Sequence, residues 1–116
     1  VLNEFRVDPH LLVAVLTGRW TPAARRLRRA QLELERRQAS AERDAAARRL
    51  ALARAEAARL RAELDALRGA ADAERGETAA EEYDAAHGDA LMEQQCVDGA
   101  AQRLRLIDAD LALLDQ

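Results

Sequence analysis

The sequence predicts an all-α protein, a long antiparallel two-helix coiled-coil hairpin with a short N-terminal apolar helix. Three observations predict it. Of 116 residues, 49% are apolar and 34% charged, yet only 3% are aromatic. The apolar share is therefore carried by Ala and Leu, a composition of long helices rather than of a globular core. From Ala23 to Arg68 there is neither Gly nor Pro, and in two separate stretches Ala and Leu recur at alternating spacings of four and three, the seam of a coiled coil. Sheet proteins, disulfide scaffolds and zinc modules are excluded by the same composition.

Each element follows from local signals. Asp8-Pro9 is a helix start, with Asp able to cap free backbone N–H groups and Pro preset for the first turn, and Gly18 offers a stop. Between them His10–Thr17 forms a short apolar helix that needs something to dock on. Residues 1–20 thus make an N-terminal apolar segment, and residues 21–116 the hairpin. Thr21-Pro22 repeats the start signal and opens a helix over 22–68, about 70 Å long at 1.5 Å per residue. Gly69 stops it. A turn over 69–77 follows, with Gly76 as a flexible point, and Thr78-Ala79-Ala80-Glu81 reads as a capping box that opens a second helix over 78–115.

The seam of the first helix runs through Ala46, Leu50, Ala53, Ala57, Leu60, Leu64, Leu67 and Ala71, and that of the second through Tyr83, Ala86, Ala90, Glu93, Val97, Ala100, Leu104, Ile107, Leu111 and Leu114. Glu93 is its one charged interruption. Upstream, Leu27, Leu34, Gln38, Ala41 and Ala45 keep helical spacing but are out of phase with Ala46 and Leu50, which predicts a stutter near residues 45–50. Layers this rich in Ala bury little area, so stability must come from length or from further chains.

Charge says how the helices pair. Residues 22–68 hold 13 Arg against seven acids, residues 69–116 three Arg against 12 acids, and residues 1–21 are balanced. The net charge of −3 thus conceals a +6 helix beside a −9 half. Antiparallel folding sets Arg36 and Arg37 opposite Asp108 and Asp110, and Arg28 and Arg29 near Asp115. Each exposed pair contributes only about a few tenths of a kcal/mol, so their joint effect is to fix partner choice.

No chemistry of catalysis is expected. His10 and His87 are isolated from each other and from the single Cys96, with no metal-ligand spacing, and no phosphate loop, nucleophile elbow or carboxylate pair occurs. The chain reads as no enzyme, with no cofactor and no metal. A lone cysteine suits a reducing compartment. Leu11–Leu16 is the one strongly hydrophobic run, far short of the roughly 20 residues of a bilayer span, and Glu4 and Asp8 ahead of it argue against a secretory leader. Arg without Lys points to a GC-rich bacterial genome, and the expected localisation is cytoplasmic.

Three regions are candidates for partner binding. Arg25, Arg26, Arg28 and Arg29 form the densest charge run, suited to the hairpin's own acids or to an acidic protein surface. Nucleic acid is disfavoured there because no aromatics interleave for base stacking. Asp72, Glu74 and Glu77, with Glu81 and Glu82, make the tip acidic, through solvation and helix capping or through contact with a partner or cation. Phe5, Leu12 and Trp20, with Leu11, Val15 and Leu16, form the patch of largest hydrophobic payload, facing either the open end of the hairpin or a partner.

Two families share features with these residues. Glu82-Tyr83-Asp84-Ala85-Ala86, preceded by Gly76-Glu77-Thr78, resembles the hairpin tip of Gre-type transcript cleavage factors. That resemblance implies an acidic tip that helps hold a catalytic magnesium ion within the secondary channel of RNA polymerase. Glu77 is the one residue here that keeps the acidic role, since Ala79 and Ala80 stand where that family has its acid and Asn. In architecture and composition, the hairpin Arg25–Leu67 with Tyr83–Leu114 resembles the FliJ/YscO proteins of flagellar and type III secretion export. This resemblance implies a hairpin that inserts into the export ATPase ring as a central stalk does and contacts the export gate. The expected function is thus a non-enzymatic coiled-coil interaction or assembly protein, of which an export-ATPase stalk component is the most concrete version. A Gre-like hairpin regulator of RNA polymerase and a self-assembling structural coiled coil, a homo-oligomer through the seam, are the alternatives.

Overall fold

The computed structural model describes residues 21–69 and 73–116. The N-terminal segment with its expected short helix, and with it His10, Phe5, Leu12 and Trp20, lies outside the described residues, as does Asp72. The described residues form two long helices, α1 (Pro22–Gly69) and α2 (Ala73–Leu114), paired as an antiparallel all-α hairpin. Among the described residues no helix is long and apolar enough to cross a membrane.

Thr21 begins α1 as its sequence predicts. Its hydroxyl oxygen accepts a bond from the Ala24 N–H at 3.1 Å, and its carbonyl accepts the Arg25 N–H at 3.0 Å. One of the otherwise orphaned first-turn donors is thereby satisfied, and Pro22 sits where a missing N–H costs nothing. At the far end of α2, Asp115 and Gln116 donate to the carbonyls of Ala112 and Leu113 at 3.2 and 3.3 Å, tightening the last turn as helix ends commonly do.

The second helix starts earlier than its capping signal suggests. It begins at Ala73, so Gly76 and Thr78 lie inside it rather than in a turn over 69–77. The Thr78 hydroxyl donates back to the Glu74 carbonyl at 3.4 Å, the bond a threonine makes in a helix interior. The seam carries the reason. Counting back from Ala86 and Tyr83 by the same threes and fours reaches Ala79 and Gly76, and Ala79 is buried. Helical packing thus continues through the segment that the Thr-x-x-Glu signal would have opened.

The expected stutter is also absent. Leu32, Ala39 and Ala46 are all buried, each seven residues from the next and in phase with Leu50. Leu34, Gln38 and Ala41 point outward, Leu34 with 49% of its surface exposed. What misleads the eye is the residue type at the alternate seam position. Arg29, Arg36 and Arg43 occupy the register that Leu50 fills further along, and a long Arg covers apolar surface with its stem while holding its charge in water.

By packing, the described residues fall into two units: those up to Gln38 with Leu104–Gln116, and Ala39–Arg103. The first buries Ala24, Leu32, Leu104, Ile107 and Leu114; the second buries Ala39, Ala46, Leu50, Ala57, Leu60, Leu64, Ala79, Ala86, Ala90 and Ala100. Tyr83 packs half-buried against Ala57, Leu60 and Ala86. No polar or charged side chain is buried among the described residues.

Candidate interaction surfaces

The Arg-rich run divides in two. Arg28 and Arg29 are half-buried and turned to α2, where Arg28 pairs with Asp110 at 3.8 Å and Arg29 with Asp115. Arg36 Nε donates to Asp108 Oδ1 at 2.8 Å. Arg29 and Arg36 are one heptad apart, and so are Asp108 and Asp115, so the two contacts repeat the same geometry. Arg37 stays exposed rather than meeting Asp110. Arg25 and Arg26 are exposed and make no ion pair among the described residues, so of the four candidates these two present free charge.

Charged side chains of the longer unit bridge and brace it. Arg49 Nε donates to Glu93 Oε2 at 3.0 Å, which accounts for the acid that interrupts the second seam, and Arg103 reaches Glu42 at 3.3 Å. Arg54 donates to Gln94 Oε1 at 2.6 Å, and Gln94 in turn donates to Asp98 at 2.9 Å. Along α1, Arg59 grips both oxygens of Glu56, at 3.1 and 2.5 Å, and lies 3.5 Å from Glu63. The bidentate hydrogen bond from Arg59 lowers the Glu56 carboxyl below its ordinary value, and the same bond raises Arg59. Arg61 lies over the Tyr83 ring, 5.7 Å from its centre, and His87 stacks with the same ring, centres 5.7 Å apart and planes at 16°. His87 therefore belongs to a ring stack on α2, and no metal-binding group of three or more His, Cys, Asp or Glu occurs among the described residues. Cys96 is an exposed free thiol.

At the tip, Glu74 and Glu77 are exposed, as are Glu81 and Glu82. Glu74, Glu77 and Glu81 form no ion pair among the described residues. Between the helix ends lies an open hollow of about 440 Å³, floored by Leu64 and Leu67 and faced by Ala73, Gly76 and Ala80, with Glu77 and Arg68 at its edge. A second hollow of about 550 Å³ shares Leu67 and is edged by Glu63, Glu74 and Glu82 together with Arg75. Sequence reasoning misses this feature because it treats Gly76 as a hinge; the signal is Gly76 in seam phase opposite a leucine pair.

Fold and surfaces together define a charged helical hairpin that fully buries no polar or charged side chain among the described residues. Comparison with protein-family models, with curated proteins and with solved structures returns no match.

Proposed function

We propose that this hairpin is a non-enzymatic interaction protein that works by surface contact within a larger assembly, its concrete form a stalk-like component of a bacterial type III or flagellar export ATPase. The observation that carries the reading is the distribution of its chemistry. The described residues bury apolar side chains alone, while the tip carboxylates and the Arg25–Arg26 pair stand exposed and are available to partners. Supporting it is the resemblance of the Arg/Ala/Leu/Glu hairpin to FliJ/YscO proteins, which implies a cytoplasmic protein with the ATPase ring as its partner. On this reading the acidic tip engages the partner and the exposed arginines add a second contact.

The test is ATP turnover by the purified ring with and without the hairpin. Stimulation or inhibition that saturates with hairpin concentration supports the stalk role, and unchanged turnover refutes it. Stimulated transcript cleavage by stalled polymerase would instead place the chain in the Gre-like class suggested by Glu77 and Glu82–Ala86. A stable oligomer of hairpins by light scattering, dissociated with loss of helicity by polar replacement of Leu60 and Leu64, would favour the structural coiled coil.

A further inference from the structure

The tip hollow is where the coiled-coil seam runs out of side chains. Further along the longer unit Leu60 packs with Ala57, Ala86 and the half-buried Tyr83, and a smaller hollow beside Ala46, Gly99 and Ala100 is edged by Glu42, Arg49 and Arg103. At the tip Leu64 and Leu67 face Gly76 and two alanines, and a Cβ built on Gly76 meets nothing within 4 Å. Gly76 has no positive φ, so no backbone conformation requires glycine there, and in a helix interior glycine costs about 1 kcal/mol relative to Ala. An apolar layer is left open to the outside at a position where a larger residue would fit.

The surroundings of the hollow say what fills it. Among described residues 63–69 and 73–82, the carboxylates are Glu63, Asp65, Glu74, Glu77, Glu81 and Glu82, against Arg68 and Arg75. Asp65 pairs with Arg61, and Glu63 with Arg59, whereas Glu74, Glu77 and Glu81 have no ion-pair partner among the described residues. The hollow's own edge carries Glu77 beside Arg68, and the adjoining hollow Glu63, Glu74 and Glu82 beside Arg75. The acidic excess belongs to the tip as a whole, which repels phosphates, so nucleic acid and anionic lipid are disfavoured, and attracts cationic side chains at a range set by the ionic strength.

We infer that the tip hollow is a docking socket for a basic segment of a partner protein that inserts one aliphatic or aromatic side chain over Leu64 and Leu67 while flanking Arg or Lys residues meet Glu74, Glu77 and their neighbours. This rests on the reading that the tip engages a partner and names the chemistry of that contact. Apolar burial supplies the anchor, and the charged rim supplies approach rate and orientation.

Three short fluorescein-labelled peptides test it by anisotropy on the full chain: a central Leu between Arg pairs, the same flanks around Ser, and a central Leu between Glu pairs. The first binds. Replacing its Leu by Ser weakens binding about tenfold or more, the scale of one buried Leu, and the Glu-flanked peptide does not bind. The variant Gly76→Leu fills the socket from within, so it retains helicity, melts higher and loses the Leu peptide by a similar factor. Glu77→Lys with Glu74→Lys weakens the same peptide while leaving the melting temperature unchanged, and the Arg25→Ala, Arg26→Ala variant binds normally. Equal binding of the Ser and Leu peptides, or binding unchanged by Gly76→Leu, would overturn the socket. A mass of the protein alone that rises with concentration and falls in Gly76→Leu would assign it to a second copy, overturning the partner assignment. Peptide binding with unchanged ATPase turnover keeps the socket and refutes the stalk role, so the two readings fail separately.

Discussion

The two packing units of the hairpin hold their helices together by different means. Where the described residues up to Gln38 pack with Leu104–Gln116, four of their five buried residues are large (Leu32, Leu104, Ile107 and Leu114), and the cross-helix ion pairs among them join an Arg of α1 to an Asp of α2. In Ala39–Arg103, Leu50, Leu60 and Leu64 are the large members of ten buried residues and the rest are Ala. There α2 carries Gly76, Gly88 and Gly99, and several charges pair within α1 instead of across. Thick apolar layers coincide with Arg–Asp pairs across the helices in one unit; thin layers coincide in the other with a mixture of pairs across the helices, Arg49–Glu93 and Arg103–Glu42, and pairs within α1. Thin layers bring the helices close, but each contributes little burial, so every leucine in the longer unit carries a larger share of its core.

The sharpest way to break this contrast is to remove one leucine from each unit. Leu32→Ala and Leu60→Ala should each cost about 2–4 kcal/mol in urea unfolding, because both are almost fully buried. Leu52→Ala, at 73% exposure, should stay within about 0.5 kcal/mol. Hydrogen exchange supplies the discriminating readout. Loss of Leu60 should speed exchange chiefly in Ala39–Arg103, and loss of Leu32 chiefly up to Gln38 and in Leu104–Gln116, since cooperative units open locally. Uniform acceleration along both helices in either variant would merge the two units into one.

The next effect has the opposite sign. Gly88 and Gly99 sit in the middle of α2 with open space around a built Cβ and no positive φ. Gly88→Ala and Gly99→Ala should each stabilise the hairpin by about 0.4–1 kcal/mol, measured by thermal unfolding, through lower chain entropy in the unfolded state. Destabilisation by either would mean that these glycines answer a packing demand, and the longer unit would then be tighter than its alanine layers imply.

A smaller effect tests the other side of the comparison. Arg36→Asp places like charges opposite Asp108 and should destabilise by about 1 kcal/mol or less, and Asp108→Arg in the same chain should recover most of it, with a coupling of about 0.2–1 kcal/mol in a double-mutant cycle. The same cycle on Arg59 and Glu56, which pair within one helix, should leave helix pairing untouched.

These contrasts also explain what the sequence could and could not disclose. The Thr21-Pro22 start, the seam from Ala46 to Leu64 and that from Tyr83 to Leu114 are legible because apolar residues there recur at threes and fours on one face, whereas the exposed Leu52, Leu91, Met92, Leu106 and Leu113 are too scattered to form a second stripe. The stretch from Leu27 to Ala45 misleads because Leu34 and Ala41 are apolar on the outer face while Arg29, Arg36 and Arg43 stand in the seam's own register. The Thr78 signal misleads because a threonine hydroxyl serves a helix start and a helix interior equally well, through different backbone partners. Charge balance assigns Arg36 to Asp108 and Arg29 to Asp115 correctly. It puts Arg28 one partner off, since on a helix surface neighbours one residue apart point about 100° away from each other. The tip hollow is legible in retrospect alone: it depends on Gly76 being helical, and the composition of residues 69–77 reads as a turn.

The smallest expected effect isolates the local charges of the longer unit. Arg59 donates to both oxygens of Glu56 across one helical turn, and these bonds favour the ionised carboxylate, so its titration lies below the ordinary 4.5. A lowered folded-state value means that the pair stabilises the helix above the ordinary carboxylate range and loses that contribution as pH falls through the lowered value. Carboxyl-resolved NMR titration of the wild type should therefore place the Glu56 midpoint below 4.5, and Arg59→Gln should return it to the ordinary value. Helicity should fall slightly more with acid in the wild type than in the variant over that same window. Both chains should have the same hydrogen-exchange pattern at neutral pH, because a pair confined to one helix braces that helix without choosing its partner. If Arg59→Gln instead loosened α2 as well, this pair would be acting across the hairpin as Arg49–Glu93 and Arg103–Glu42 do, and its assignment as a brace of one helix would not hold.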